Sequence, residues 1–304
     1  MRSGEWVRRE WPRVRRTLGG AARAALDRWR PRWTRRAPRR ERRWFVGAAG
    51  FVVLALLLVL AARAGRAARG PHGEFAPDVL DLQSVFAWDE RSPGSPLSLR
   101  EVYERARDLW AATARGAAAR LATDRELQRA LEQAAERLTR VTVQDLRRIV
   151  AIESAARVDV GVNRFGYSGL FQLGAAACAD VGTTLEEVRA DWRSNVAAGA
   201  RFAELQHRRL ADLLARSADL RGVSTDSFLL YLAHQQGAMG ALDVLQRVHD
   251  GSAAVAPIEA NHRHNFAPGS GLVRRLEEGG RTPTLLEYYV YLRGVFDAVV
   301  EEVG

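Results

Sequence analysis

The chain has 304 residues, enough for one sizeable core or two small ones, and a formal net charge of +10. All 46 basic residues are arginine and they are unevenly spread: residues 1–69 hold 19 against 4 acidic residues, a net +15, whereas residues 70–304 hold 27 against 32, a net −5. The basic mean describes neither half and gives no ground for nucleic-acid binding, and the lone cysteine, Cys178, excludes an internal disulfide.

Residues 1–43 form a basic tail with Trp6, Trp11, Trp29 and Trp33 interleaved among its arginines. The pattern reads as a topology signal resting on anionic lipid headgroups, with nucleic-acid or protein docking as the alternatives that no motif decides. The stretch "WFVGAAGFVVLALLLVLAA", Trp44 to Ala62, is 19 residues without a charge. At the helical rise it covers roughly 28 Å, close to the hydrocarbon thickness, and it lacks the polar face of a soluble core helix. It predicts a single N-terminal transmembrane helix. The N-terminal flank carries 16 arginines, against Arg63, Arg66 and Arg69 on the other side, so the tail is expected in the cytoplasm and the rest outside. The leader is long for a cleaved signal peptide and "AARAGRAARG" is a poor cleavage region. The prediction is an uncleaved, single-pass signal anchor in the cytoplasmic (inner) membrane, with a periplasmic domain.

Residues 63–98 mix Gly, Pro, Ser and charges and read as a linker. Beyond them, Val102, Ala106, Leu109 and Ala112, then Leu127, Leu131, Ala134 and Leu138, recur at helical spacing. Gly116 and Thr123-Asp124 are expected to divide this stretch into two helices. Thr142 to Asp145 and Thr183 to Glu186 read as capping boxes. No strand alternation of useful length follows the span, so residues 99–304 are predicted to be an all-α domain.

A helix started at Val143 puts Leu146, Ile149, Val150 and Glu153 on one face. That face should be buried, and a carboxylate there loses hydration, so its pKa rises. Such an acid stays protonated near neutral pH and can donate to a leaving group. A flexible stem that returns the carboxylate to water is the alternative on this helix alone.

Four segments follow in order: Glu153-Ser154; Gly169-Leu170-Phe171-Gln172; Asn195 with Gly199; and Ala233-His234-Gln235-Gln236-Gly237. Their sequence over residues 140–300 resembles the lysozyme-like catalytic domain of lytic transglycosylases, in the soluble-enzyme type and its phage-associated branch. The resemblance implies cleavage of the β-1,4 bond between N-acetylmuramic acid and N-acetylglucosamine in peptidoglycan. It implies Glu153 as sole acid and base, 1,6-anhydro-muramoyl ends as products, and no cofactor. It implies substrate contacts for Ser154, Gly169, Leu170, Phe171, Gln172, His234, Gln235 and Tyr289. Leu170 and Phe171 would pack beneath the cleft, and Gln172 would bond sugar or the Glu153 helix. Ser154 has its own helix backbone as an alternative partner. Gln235 stands where the family has Asn and His234 where it has Tyr. Tyr288 and Tyr289 match the family's late aromatic position loosely. Gly237 is expected to end the helix that begins at Ser227.

A hydrolytic lysozyme would need a second carboxylate, for which Asp159 and Asp180 are the nearby candidates. A non-catalytic peptidoglycan-binding scaffold within an envelope-spanning complex is the other alternative. His262 and His264 lack a third ligand, so no metal site is expected. The expected partners are glycan strands and, through the anchor and tail, membrane lipid. A reporter active only when exported, fused after Gly304, is expected to be active; activity solely from a cytoplasm-dependent reporter would contradict the topology.

Overall fold

Most helices of the protein start where a short polar side chain satisfies amides that have no partner inside the helix. The computed structural model describes residues 81–87, 95–259, 262 and 270–304. The basic tail, the predicted span and most of the linker lie outside these residues, as does His264. No helix among the described residues is long and apolar enough to cross a membrane.

After α1 (Leu82–Phe86), the Ser98–Glu101 capping box opens α2 (Leu99–Thr123). Asp124 caps α3 (Arg125–Ala135), and the Thr142–Asp145 box opens α4 (Val143–Ser154), where the spacing placed it. α5 (Ala175–Asp180) and α6 (Leu185–Ala190) are short. The box of α6 pairs Thr184 with Glu187, one residue later than expected, while Thr183 Oγ1 also donates to Glu187. Asp191 caps α7 (Trp192–Arg216) and Asp226 caps α8 (Ser227–His249). Ser270 caps α9 (Gly271–Leu276), and the Thr284–Glu287 box opens α10 (Leu285–Val303). The described residues contain isolated β-bridges, such as Val162 with Ser168 and Ser168 with Leu173, but no strand. The all-α class is therefore the observed one.

Two details differ from the sequence reading. α2 runs through Gly116 without a break and stops only at Asp124, which turns extended and caps the next helix. A mid-helix glycine costs about 1 kcal/mol, and the burial of Ala114, Ala117 and Leu121 around it outweighs that. Leu109 and Ala112 are exposed; the buried stripe of α2 instead passes from Ala106 to Ala114 beside the half-buried Trp110.

The core is organised around α10, which is apolar on nearly every side and buried from Leu285 to Leu292 without interruption. It lies closely on α2: a Cβ at Gly294 would stand 2.5 Å from the carbonyl oxygen of Tyr103 and 2.9 Å from the Ala106 methyl. The start of α10 holds a buried ion pair, Glu287 with Arg281 at 2.9 Å through both guanidinium arms. Ser95 Oγ and Thr284 N–H also donate to Glu287, tying the approach to α2 to the start of α10. α4 packs against α2, α3 and α10, and α7 packs against α8. Gly294→Ala should lower unfolding stability by about 1–3 kcal/mol, because backbone must move to admit the methyl. Denaturant unfolding of the full chain checks this.

Candidate active site

α4 supplies the acid. Leu146, Ile149 and Val150 are buried, and Glu153 follows one turn later with 10% of its side chain exposed. The helix stops just beyond it because Ala155 and Ala156 both adopt left-handed backbone, φ 53° and 56°. The Ala156 N–H bonds back to Val150 O at 2.9 Å, and Arg120 Nη1 donates to Ala155 O at 2.9 Å. Ser154 turns inward and donates to Val150 O at 2.9 Å, so its hydroxyl serves its own helix rather than an open surface.

The second element is the tight loop 162–173. Asn163 Oδ1 accepts the N–H groups of Phe165 and Tyr167, while its amide donates to Gln172 Oε1 at 2.8 Å. Gln172 Nε2 in turn donates to Gly169 O at 2.8 Å. The amide of Gln172 is thus engaged within the loop and not with α4. Asn195 of α7, fully buried, clamps the same loop: its Oδ1 accepts from Phe171 N–H and its Nδ2 donates to Ser168 O, both at 3.0 Å. A Cβ at Gly169 would collide with Asn195, and one at Gly199 would collide with the Phe171 ring. These approaches explain why Gly169, Asn195 and Gly199 occur together. Leu170 and Phe171 are wholly buried, so the structure corrects their expected substrate contact to a place in the core beneath the loop.

The third element is α8. Tyr231, His234 and Gln235 stand at i, i+3 and i+4, on one face. Gln235 Nε2 donates to Glu153 Oε1. His234 Nε2 lies 3.1 Å from Phe171 O and 3.9 Å from Glu153 Oε1. A carbonyl only accepts, so Nε2 carries the proton and Nδ1 is bare; Nδ1 is buried with no hydrogen-bond partner among the described residues. The imidazole is held between Phe171 and Phe202, both edge-on.

The helix that begins at Ser227 is interrupted at Gly237, as its sequence suggested: Gly237 adopts φ 70°, ψ 160°, a non-helical conformation open to glycine, and a second helical segment of α8 follows directly after this kink. The Ala238 N–H freed there is satisfied by Gln206 Oε1 at 2.8 Å. Tyr289 is 1% exposed, its ring edge-on to Phe228 at 5.4 Å, so the structure corrects its expected substrate contact to a place in the core. Its neighbour Tyr288 accepts a hydrogen bond from Gln236 Nε2 at 2.6 Å.

Sequence reasoning missed Tyr231 and Gln206. Tyr231 is buried, and its hydroxyl pKa is pushed up by burial and by the Glu153 charge. Its position one turn before Gln235 was the available signal. Gln206 had none, since its role exists only once the kink is known.

Burial raises the Glu153 pKa to about 8, opposed by the hydrogen bond from Gln235. Burial lowers that of His234 to about 4, opposed by its bond to Phe171. The site thus joins a protonated carboxyl to a neutral imidazole and an amide near neutral pH. Asp180 is instead paired with Arg209 at 2.7 Å on the surface, and Asp159 is exposed. Glu153 lines neither of two surface hollows, about 330 and 550 Å³; its own enclosure and partners define the site. No family model and no curated protein matches the chain.

A carboxyl whose pKa is raised on folding stabilises the fold fully below its unfolded pKa, and this contribution is lost as pH rises through the folded value. Glu153→Gln removes that dependence. The variant should match the parent near pH 4 and become more stable than it between pH 5 and 8, by roughly 3–5 kcal/mol at the upper end. Unfolding of both full chains across this range is the measurement.

Proposed function

We propose that the chain is a membrane-anchored peptidoglycan lytic transglycosylase, with a lysozyme-like exported domain and Glu153 as its acid and base. The observation that carries this reading is the environment of Glu153: enclosed, pKa near 8, and bonded to an amide rather than a cation. A glycosidic oxygen is a poor leaving group until protonated, and a neutral carboxyl at neutral pH is the group able to protonate it.

In the proposed reaction Glu153 gives its proton to the bridging oxygen as the C1–O bond of the muramoyl sugar breaks. The N-acetyl oxygen supports the electron-poor C1. The C6 hydroxyl then closes on C1, and the Glu153 carboxylate takes the hydroxyl proton. The acid is regenerated, no water is consumed, and the product ends in a 1,6-anhydro ring. Gln235 holds the carboxylate form while it lasts, since its N–H donates to Oε1. The loop 168–172, clamped by Asn195 and His234, supplies a rigid wall next to the acid.

Two observations favour this over the neighbouring readings. A hydrolytic lysozyme places a second carboxylate opposite the acid, yet Asp159 is exposed and Asp180 is engaged by Arg209. A scaffold that merely held glycan would be more stable with an amide at 153, as burial of an acid there penalises the fold above pH 5. In this proposal the anchor and tail fix the chain to the inner membrane, and the exported domain meets the glycan strands in the periplasm. A larger envelope complex fits the same topology.

Full chain in detergent micelles, incubated with peptidoglycan, should release fragments one water lighter than hydrolytic products. Reducing ends alone would turn the reading to a lysozyme. Glu153→Gln should lose about 10²–10⁴ in rate while still sedimenting with glycan. For the parent, kcat/KM should fall as pH rises past about 8, because the acid form disappears there.

A further inference from the structure

We propose that the tip of the 162–173 loop, Val162 to Tyr167, dips into a lipid surface that carries anionic headgroups. This inference rests on the membrane anchor of the proposed function and not on the cleavage reaction. Six large apolar side chains stand exposed among the described residues. Three of them, Val162, Phe165 and Tyr167 at 51%, 40% and 43%, fall on this one tip. Single exposed apolar residues are ordinary, whereas a cluster marks a surface that something covers.

The tip is built to leave water at low cost. Asn163 Oδ1 accepts the Phe165 and Tyr167 N–H groups at 2.9 and 3.1 Å. The Asn163 N–H donates to Tyr167 O at 2.8 Å, and the Gly166 N–H to Asn163 O at 3.0 Å. These amides have partners inside the turn, so entry into a lipid interface strands none of them. Gly166, φ 87°, lets the chain reverse there. The Tyr167 ring lies so close to Gly174 that a Cβ on that glycine would stand 2.8 Å from Cε1. A fixed backbone thus presents the apolar side chains, and their burial needs little further ordering.

The surroundings favour lipid as the occupant. The Arg164 guanidinium lies over the Phe165 ring, 4.6 Å from its centroid, and closes that face to stacking on a sugar. Val162 and Phe165 have no side-chain polar group to order hydroxyls. Arg189 of α6 reaches the tip, its Nη2 3.5 Å from Gly166 O, and forms no ion pair with Glu186 one turn earlier. Arg157 and Asp159, both exposed on the approach, offset each other, so the charges that touch the tip are cations. Apolar side chains beside arginines match an interface where acyl chains lie beneath phosphates. Residues 63–80 tether the domain to the predicted span over at most about 60 Å, which keeps lipid at high effective concentration. Asn163 joins the tip to Gln172 in the wall beside Glu153, so a tip held in lipid fixes the height of the site above the bilayer.

The test uses full chain reconstituted in vesicles of phosphatidylcholine, with or without phosphatidylglycerol. A nitroxide label is placed on Phe165→Cys, on Val162→Cys, or on Leu109→Cys, a similarly exposed position on α2; labelled parent gives the background from the buried Cys178. Collision with oxygen, which concentrates in lipid, and with a water-soluble nickel chelate locates each label. Labels at 165 and 162 should favour oxygen, with an inserted fraction relative to water about fivefold higher on the anionic vesicles, the scale of one basic side chain at such a surface. The Leu109 label should favour nickel. Arg164→Gln in the labelled chain should remove most of the difference between the two vesicles, with an unchanged melting temperature. Labels at 165 and 162 that stay with nickel overturn the proposal, as does a Leu109 label that follows them into lipid, or a chain that does not float with the vesicles. Dipolar broadening between labels at 165 would make the tip a contact between copies, and shielding that arises only with added soluble glycan would make it a sugar surface; either overturns the proposal. Peptidoglycan added to the same vesicles reads cleavage separately. Insertion without cleavage keeps the proposal and overturns the transglycosylase reading, and cleavage with the labels in water does the reverse.

Discussion

The site depends on a carboxyl that has been taken out of water at Glu153 without a cation to meet it. The fold contains a second buried glutamate that shows the contrast. Glu287, with no exposure, is gripped by two arms of Arg281, the Ser95 hydroxyl and the Thr284 amide. That arrangement satisfies a charged carboxylate and fastens an element in place. Glu153 has one amide from Gln235 and a neutral imidazole beyond it, too few donors to replace lost hydration. One glutamate is fastened by four donors as a clip; the other is built to hold a proton.

The unfavourable placement persists because the surroundings leave Glu153 little choice. Its helix is capped at the start by Thr142 and Asp145, and Asp145 is tied onward to Ser227 at the start of α8. Its end is fixed by two alanines in left-handed backbone, each costing of order 1 kcal/mol that a glycine would avoid. The wall opposite is set by glycines used for close approach: Gly169 against Asn195 and Gly199 against Phe171. α8 then bends at Gly237, and Gln206 repairs the amide that the bend exposes. These devices sit in α4, the 162–173 loop, α7 and α8, so the acid is held from several elements at once.

Much of this was legible in the chain. The period of α4 and its capping box placed Glu153 on the buried face, and burial followed from that face alone. Gly169, Asn195 and Gly199 were visible as a set, although the collisions that require them were not. What failed to show had physical reasons. Gly116 reads as a breaker, yet tertiary burial on either side outweighs a propensity cost of about 1 kcal/mol. Tyr289 looked like a late binding aromatic, but α10 is buried on almost all sides, and a tyrosine on such a helix faces core whichever way it points. Ser154 had two partners available to a hydroxyl near a helix end, and the Val150 carbonyl four residues back is the one it takes. Gln206 has no sequence signature because it answers a backbone bend elsewhere.

His234 completes the electrostatic logic. A cation 3.9 Å from Glu153 would hold the carboxyl ionised and cancel the effect of burial. A histidine in that place is safe only if it stays neutral, and its enclosure between Phe171 and Phe202 keeps its pKa at about 4. The Glu153 pKa stands at about 8. Between these values both groups are uncharged: the imidazole donates to the Phe171 carbonyl and fixes the loop, while the carboxyl keeps its proton. The same burial that raises one pKa lowers the other, so a single apolar enclosure produces both states. The width of that neutral window, rather than any one contact, lets an acid and a histidine share a pocket without forming an ion pair.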